Sequence, residues 1–99
     1  MILIMQERVH DYAAWKTVFD RGEGLRVQHG CSGHVILRSD SDTNDLTIHL
    51  RFPSREAVDG FLADPQLMAN MERAGVEGKP AVSLVHEEET ELYASPVAV

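Results

Sequence analysis

Apolar and polar residues alternate along this chain with two periods, one typical of strands and one typical of helices. Ile2–Val9 begins apolar on both faces, as a central strand would. It is followed by Asp11, a good N-cap for a helix. Aromatic residues then recur at three- and four-residue spacing, at Tyr12, Trp15 and Phe19. We therefore predict a first strand and then an amphipathic helix with an aromatic face.

Glycines mark the end of this helix and the start of two further strands. Gly22 and Gly24 weaken the helix, so a kink or a narrowing is expected there, and Gly30 is placed to end it. Residues 31–39 and 46–52 have the composition of strands, and the residues between them are polar. This part of the chain predicts a hairpin.

The second helical region is interrupted in its middle. Ser54 caps its start, and Asp64-Pro65 restarts it, because Asp is a favoured cap and Pro fits a first helical position. The predicted buried stripe consists of Ala57, Val58, Phe61, Leu62, Leu67, Met68 and Met71. Residues 75–80 then predict a hinge, and residues 81–89 a fourth strand before an acidic, weakly structured tail. The βαββαβ order predicts a single α+β, ferredoxin-like domain over residues 1–99, with an antiparallel sheet.

Composition narrows the classes of function. The formal charge of −7, from 16 acidic and 9 basic residues, repels phosphate backbones, so nucleic acid is not an expected partner. The apolar N-terminal run has neither the basic region nor the cleavage site of a signal peptide, and no contact with a membrane is expected. The single Cys31 excludes an internal disulfide and suits the reducing cytoplasm. The sequence has no motif for phosphate binding, serine hydrolysis or metal ligation, so we expect no cofactor and no metal.

The two faces of the predicted hairpin differ in polarity. Because side chains alternate across a strand, one face is expected to pack under the helices with Val35, Leu37, Leu46, Ile48, Leu50 and Phe52. The opposite face is then expected to carry His34, Ile36, Arg38, Thr47, His49 and Arg51. A face that is half polar and half apolar suits contact with a second copy of the chain. We therefore predict a homodimer.

Four segments resemble a known group of proteins. They are residues 9–20 (VHDYAAWKTVFD), 30–34 (GCSGH), 61–65 (FLADP) and 74–76 (AGV). Together they resemble small bacterial members of the dimeric α+β barrel superfamily, which includes antibiotic-biosynthesis monooxygenases and small polyketide cyclases. The resemblance implies a homodimeric α+β barrel with a ligand cavity between the sheet and the helices of each subunit. Resemblance of fold does not by itself transfer an activity.

Haem degradation, an activity of some members of this superfamily, is disfavoured by the residues present. The resemblance would require an Asn near the first strand and both a Trp and a His in the second helical region. The first strand has Gln6 instead, the only Trp is Trp15, and no His lies between His49 and His86. The quinone-forming monooxygenases would need a Trp within a polar cluster, and Trp15 would supply it from a different element.

The candidate ligand-binding residues lie mainly on the first helix. The rings of Tyr12, Trp15 and Phe19 would stack on an aromatic or polyketide-like ligand, although the same pattern describes an ordinary core face. Arg26 continues this stripe and would bind a ligand carboxylate or enolate, or extend to solvent instead.

The candidate catalytic residue is His49, at the centre of the third strand. A histidine flanked on its own face by Thr47 and Arg51 suits a general base that handles protons, with Arg51 or Arg26 meeting developing negative charge. The alternative is a structural role for His49 in the dimer interface.

Two functions therefore remain open. The first is a cofactor-independent monooxygenase or cyclase that acts on a hydrophobic, aromatic or polyketide-like metabolite. The second is a ligand-binding or structural dimer module without chemistry. The sequence contains no complete catalytic motif that decides between them.

Overall fold

The computed structural model describes residues 1–94. Its elements are β1 (Ile2–Val9), α1 (Tyr12–Arg21), α2 (Glu23–Gln28), β2 (Gly33–Arg38), β3 (Asp45–Arg51), α3 (Arg55–Ala63), α4 (Pro65–Arg73) and β4 (Val76–Val85). The strands form one antiparallel sheet in the order β2-β3-β1-β4. The predicted α+β, ferredoxin-like fold is confirmed, with each helical region divided in two. Residues 95–99, the end of the predicted tail, lie outside the described residues.

The core lies between the helices and one face of the sheet. The central strands β1 and β3 pair with Leu3 opposite Leu50 and Met5 opposite Ile48, so their apolar side chains share this face. The rings of Phe52 and Phe61 also pack in this core, with centroids 5.2 Å apart. Complete burial of a side chain of this size contributes about 1.5–3 kcal/mol. The other side of the sheet, here called the outer face, carries Ile2, Ile4, Gln6, Val35, Leu37, Thr47, His49, Arg51, Ser83 and Val85.

Local caps set the ends of the helices. Asp11 and Ser54 cap α1 and α3, and each accepts a hydrogen bond from a backbone N–H three residues later. The restart predicted at Asp64-Pro65 is confirmed, because Asp64 caps α4 and Pro65 is its first residue. The kink predicted in the first helix is the junction of α1 and α2 at Gly22. No helix of the described chain combines the length and the apolar character needed to cross a membrane.

The fourth strand differs from its prediction at both ends. It spans Val76–Val85 instead of residues 81–89, and so includes most of the segment predicted as a hinge. Pairing with β1 explains the earlier start, since Val76 lies opposite Val9 and the backbone there gains ladder hydrogen bonds. A β-bulge then shifts the register, and Gly78 within it has a φ of +67°, which favours glycine.

The side chains of β2 face the opposite way from the prediction. Ile36 lies opposite Ile48 in the ladder, whereas Val35 lies opposite His49. Ile36 therefore faces the helices, and the prediction that Val35 and Leu37 pack under them is wrong. This strand has apolar residues at both odd and even positions, so its own alternation does not decide its orientation. The register with β3 decides it.

The same register moves His34 and Arg38 to the helical side of the sheet. The His34 ring meets Phe19 edge-on, with centroids 4.9 Å apart, and the Arg38 guanidinium lies 3.7 Å from the centre of the Tyr12 ring. The predicted grouping of His34 and Arg38 with His49 on one face is therefore wrong.

Candidate functional site

A cavity of about 60 Å³ lies between the sheet and the helical layer. Most of its walls are apolar, formed by Met5, Trp15, Val18, Phe19, Leu25, Ile48, Leu50, Phe61, Leu67, Met71 and Ala74. Within residues 1–94, three polar side chains also line it: Glu7 from β1, Arg26 from α2 and Asn70 from α4. An apolar cavity with a few converging polar groups is the usual form of a small-molecule site.

Glu7 is the carboxylic acid of this cavity. Its position follows from the two-residue period of β1, which turns Met5, Glu7 and Val9 to the helical side. Glu7 is only 8% exposed, and its Oε2 atom has no hydrogen-bond partner within residues 1–94. Burial raises the pKa of Glu7 from 4.5 to about 7, because desolvation disfavours the charged form. A carboxyl group with a pKa near neutrality is suited to accept and return a proton.

Arg26 is the buried cation of the cavity. It is 6% exposed; its Nη1 donates a 2.7 Å hydrogen bond to the carbonyl oxygen of Phe19, and its guanidinium lies 3.8 Å from the centre of the Phe19 ring. Its Nη2 has no partner in the described chain. Burial is the main cause of a lowered pKa for Arg26, but guanidinium remains charged in proteins. Gly22 leaves room for this arrangement, since a Cβ there would lie 3.3 Å from Arg26 Nη1.

The aromatic residues predicted to bind a ligand form a row along α1. Trp15 and Phe19 stack with centroids 4.8 Å apart, and both line the cavity. Tyr12 continues the row, 5.8 Å from Trp15, but it does not line the cavity. At the other end, partial burial and then the positive charges of Arg26 and Lys16 lower the pKa of His34. The structure thus brings Trp15, Phe19 and Arg26 together and leaves Tyr12 beside them.

His49 and Arg51 lie elsewhere. In the ladder His49 is opposite Ile4 and Val35 on the outer face, so the sheet separates it from the cavity. Arg51 is on the same outer face, where its guanidinium pairs with the Glu87 carboxylate at 3.3 Å. A catalytic role for His49 and a ligand-binding role for Arg51 remain predictions, but neither residue belongs to this cavity.

A second depression lies between α4 and β4. Its volume is about 800 Å³, and exposed apolar side chains such as Met68 and Val82 line it. Its charged residues, Glu72 and Lys79, are exposed, so they are already solvated and hold no unmet hydrogen-bonding capacity. The described residues also contain no group of three or more His, Cys, Asp or Glu side chains that would hold a metal ion. The inner cavity is therefore the candidate site.

Glu7 was not among the site residues predicted from the sequence, although the sequence contains a signal for it. Once Ile2–Val9 is predicted to be a strand, its period places Leu3, Met5, Glu7 and Val9 on one face. A carboxylate within such an apolar set is unusual, because charged residues are seldom buried without a partner. The convergence of Glu7 with Arg26 was not visible, since the two residues belong to distant elements.

Several solved structures share this fold. SnoaB, a cofactor-independent oxygenase from Streptomyces nogalater, is 18% identical with a TM-score of 0.70, over 91% of this chain and 96% of its own. A monooxygenase from the gene ActVA-Orf6 of Streptomyces coelicolor, in complex with nanaomycin D, is 16% identical with a TM-score of 0.67, over 94% of this chain and 91% of its own. No family model and no curated protein matches the sequence. The chain thus has the fold of the antibiotic biosynthesis monooxygenases that its sequence resembles.

Proposed function

We propose that this protein binds a small hydrophobic, aromatic or polyketide-like metabolite in the inner cavity and oxygenates it without a cofactor. The observation that carries the proposal is the buried Arg26, which lines an aromatic-walled cavity and whose Nη2 has no hydrogen-bond partner in residues 1–94. The shared fold with a cofactor-independent oxygenase supports the reaction class.

The chemistry follows from the residues that line the cavity. Without a cofactor, the substrate itself must supply electrons to dioxygen, and an aromatic or enolic oxyanion is a good electron donor. Arg26 would stabilise that oxyanion, because a fixed charge acts strongly at a buried position of low dielectric constant. Trp15 and Phe19 would hold the ring by stacking. When a ring CH₂ is converted to a carbonyl, one oxygen atom of O₂ enters the product and the other leaves as water.

The proposal includes a homodimer that forms through the outer face. Val35, Leu37 and Val85 are 44%, 45% and 40% exposed in the single chain, which is unusual for three large apolar residues on one sheet face. Packing against the same face of a second copy would cover them in an isologous contact.

The unpaired Cys31 is compatible with the cytoplasm as the proposed location.

Oxygen consumption tests the proposed reaction. The chelator-treated protein is mixed with hydroxylated aromatic compounds of one to three rings, without flavin or nicotinamide, and dissolved oxygen is followed against a blank without protein. We expect uptake above the blank, and at least a tenfold loss in Arg26→Met, which keeps the apolar stem and removes the charge. Arg21→Met, at an exposed position on α1, is the matched control and should retain the activity.

The alternative is a ligand-binding module that performs no chemistry. It is favoured if these compounds bind in the cavity but no oxygen is consumed with any of them. Equal activity of the wild type and Arg26→Met would also contradict the proposal.

A further inference from the structure

Glu7 occupies a special position in the sheet. Gln6 pairs with Ala81 and Arg8 pairs with Glu77, so residues 78–80 of β4 lie opposite Glu7 alone. Such bulges occur next to active sites, where they redirect a side chain. Here the bulge lies at Glu7, the one acidic side chain among residues 1–94 that lines the cavity.

The buried carboxyl of Glu7 has an unmet capacity for hydrogen bonding. Its Oε2 is fully covered and finds no partner in the part of the chain that the structure describes. An isolated buried carboxyl is costly to a fold, and buried polar groups of native proteins are nearly always hydrogen-bonded. A ligand with an O–H group would supply the missing partner.

Arg26 also has a buried polar atom without a hydrogen-bond partner in the described chain, in this case a donor. Its Nη2 is likewise covered and unpartnered within residues 1–94, although Nη1 is bonded to the Phe19 carbonyl. Within the described residues, Arg26 is the one charged side chain besides Glu7 that lines the cavity; Asn70 of α4 is neutral. No ion pair within 4.0 Å joins Glu7 to Arg26, so the two side chains do not satisfy each other.

The volume of the cavity limits the size of that ligand. A water molecule needs about 10–15 Å³ of such space, so about 60 Å³ holds only a few waters. Sites for drug-sized molecules measure roughly 300–1,000 Å³. A cavity of this size is too small for a ligand of several rings, so the ligand is limited to a single ring at most.

We infer that Glu7 is the proton acceptor of this cavity and that the ligand class is a one-ring phenol or enol, whose oxygen lies between Glu7 and Arg26. This inference rests on the proposed function for the use of the site. In the step it assigns, the ligand O–H bond breaks and the proton forms a bond to Oε2 of Glu7. The electron pair stays on the ligand oxygen, and the resulting oxyanion is held by Nη2 of Arg26.

Calorimetric titration with 4-nitrophenol tests the inference at about pH 8, where Glu7 is mainly ionised before binding. The probe is also mainly phenolate at that pH, so the Glu7 site has to take up a proton when the complex forms. Titrations in buffers of different ionisation enthalpy count the protons. We expect uptake of about one proton per bound probe in the wild type and none in Glu7→Gln. Glu56→Gln, an exposed site on α3, should behave as the wild type.

Nitrobenzene, which lacks the hydroxyl group, is the matched probe. We expect it to bind about tenfold more weakly than 4-nitrophenol and without proton uptake. If both probes bind with no proton uptake, the role of Glu7 is wrong while binding in the cavity stands. If neither binds but larger compounds support oxygen uptake, the one-ring class is wrong and the proposed function stands. A thermal melt confirms that Glu7→Gln is folded.

Discussion

The His29 ring and the Asp64 carboxylate join the end of α2 to the break between α3 and α4. His29 Nε2 lies 2.8 Å from Asp64 Oδ2, and Asp64 Oδ1 accepts a second hydrogen bond from the backbone N–H of Gln66. The imidazole also meets the Phe61 ring edge-on. One carboxylate thus caps α4 and attaches the first helical region to the second.

Replacement of Asp64 by Asn should weaken this junction in a pH-dependent way. The hydrogen bond from His29 is the main cause of a lowered pKa for Asp64. A carboxyl whose pKa is lowered by folding stabilises the protein above its unfolded pKa of about 3.9, and this contribution is lost as the pH falls through the folded pKa. We expect Asp64→Asn to melt at a lower temperature than the wild type at neutral pH, and the difference to close in acid.

The matched control is Asp59→Asn, on the exposed surface of α3. It should melt close to the wild type across this range. Identical melting curves for Asp64→Asn and Asp59→Asn would show that the contact with His29 contributes nothing.

Glu7 should make the protein less stable as the pH rises from about 5 to 8. Its folded pKa of about 7 exceeds the ordinary 4.5, so the folded state holds a proton that the unfolded state has already released. Stability is therefore lost over this interval, by up to about 3 kcal/mol for a shift of this size. Urea unfolding at both pH values should show the loss in the wild type and a nearly flat profile in Glu7→Gln. Parallel profiles would contradict burial of the carboxyl.

His49→Ala should separate the two roles predicted for that residue. Because His49 lies on the outer face opposite Val35, we expect weaker dimerisation and unchanged oxygen uptake. Sedimentation measures the first quantity and an oxygen electrode the second. Loss of turnover in an intact dimer would instead support the catalytic role.

A charge at Leu37 should dissociate the proposed dimer. Leu37 is 45% exposed on the outer face, and an Asp there would place an unpaired charge in the contact. We expect Leu37→Asp to weaken dimerisation more than tenfold, as measured by native mass spectrometry over a dilution series. Val27→Asp is the control, because Val27 is 60% exposed but belongs to α2 in the helical layer. If the wild type is monomeric at every concentration of the dilution series, the proposed dimer is wrong.

Local chemistry explains which predictions succeeded. The cap and proline at Asp64-Pro65 act within one turn of helix, and they placed the restart of α4 correctly. The spacing of Trp15 and Phe19 likewise placed both rings on one helical face. Predictions that depended on pairing between strands were less successful, as the orientation of Val35 and the start of β4 demonstrate.

The sequence by itself determined the order of the strands and helices along the chain, the breaks between the helices, and the face of β1 that Glu7 shares with Met5, because each depends on a short period or a neighbouring residue. Only the tertiary structure decided which face of β2 is buried, since a shift of one residue in register reverses every side chain. It also brought Glu7 from β1 and Arg26 from α2 to one cavity. Residues so far apart in the chain come to line one cavity only after the sheet and the helices have packed. No local sequence pattern predicts that they do so.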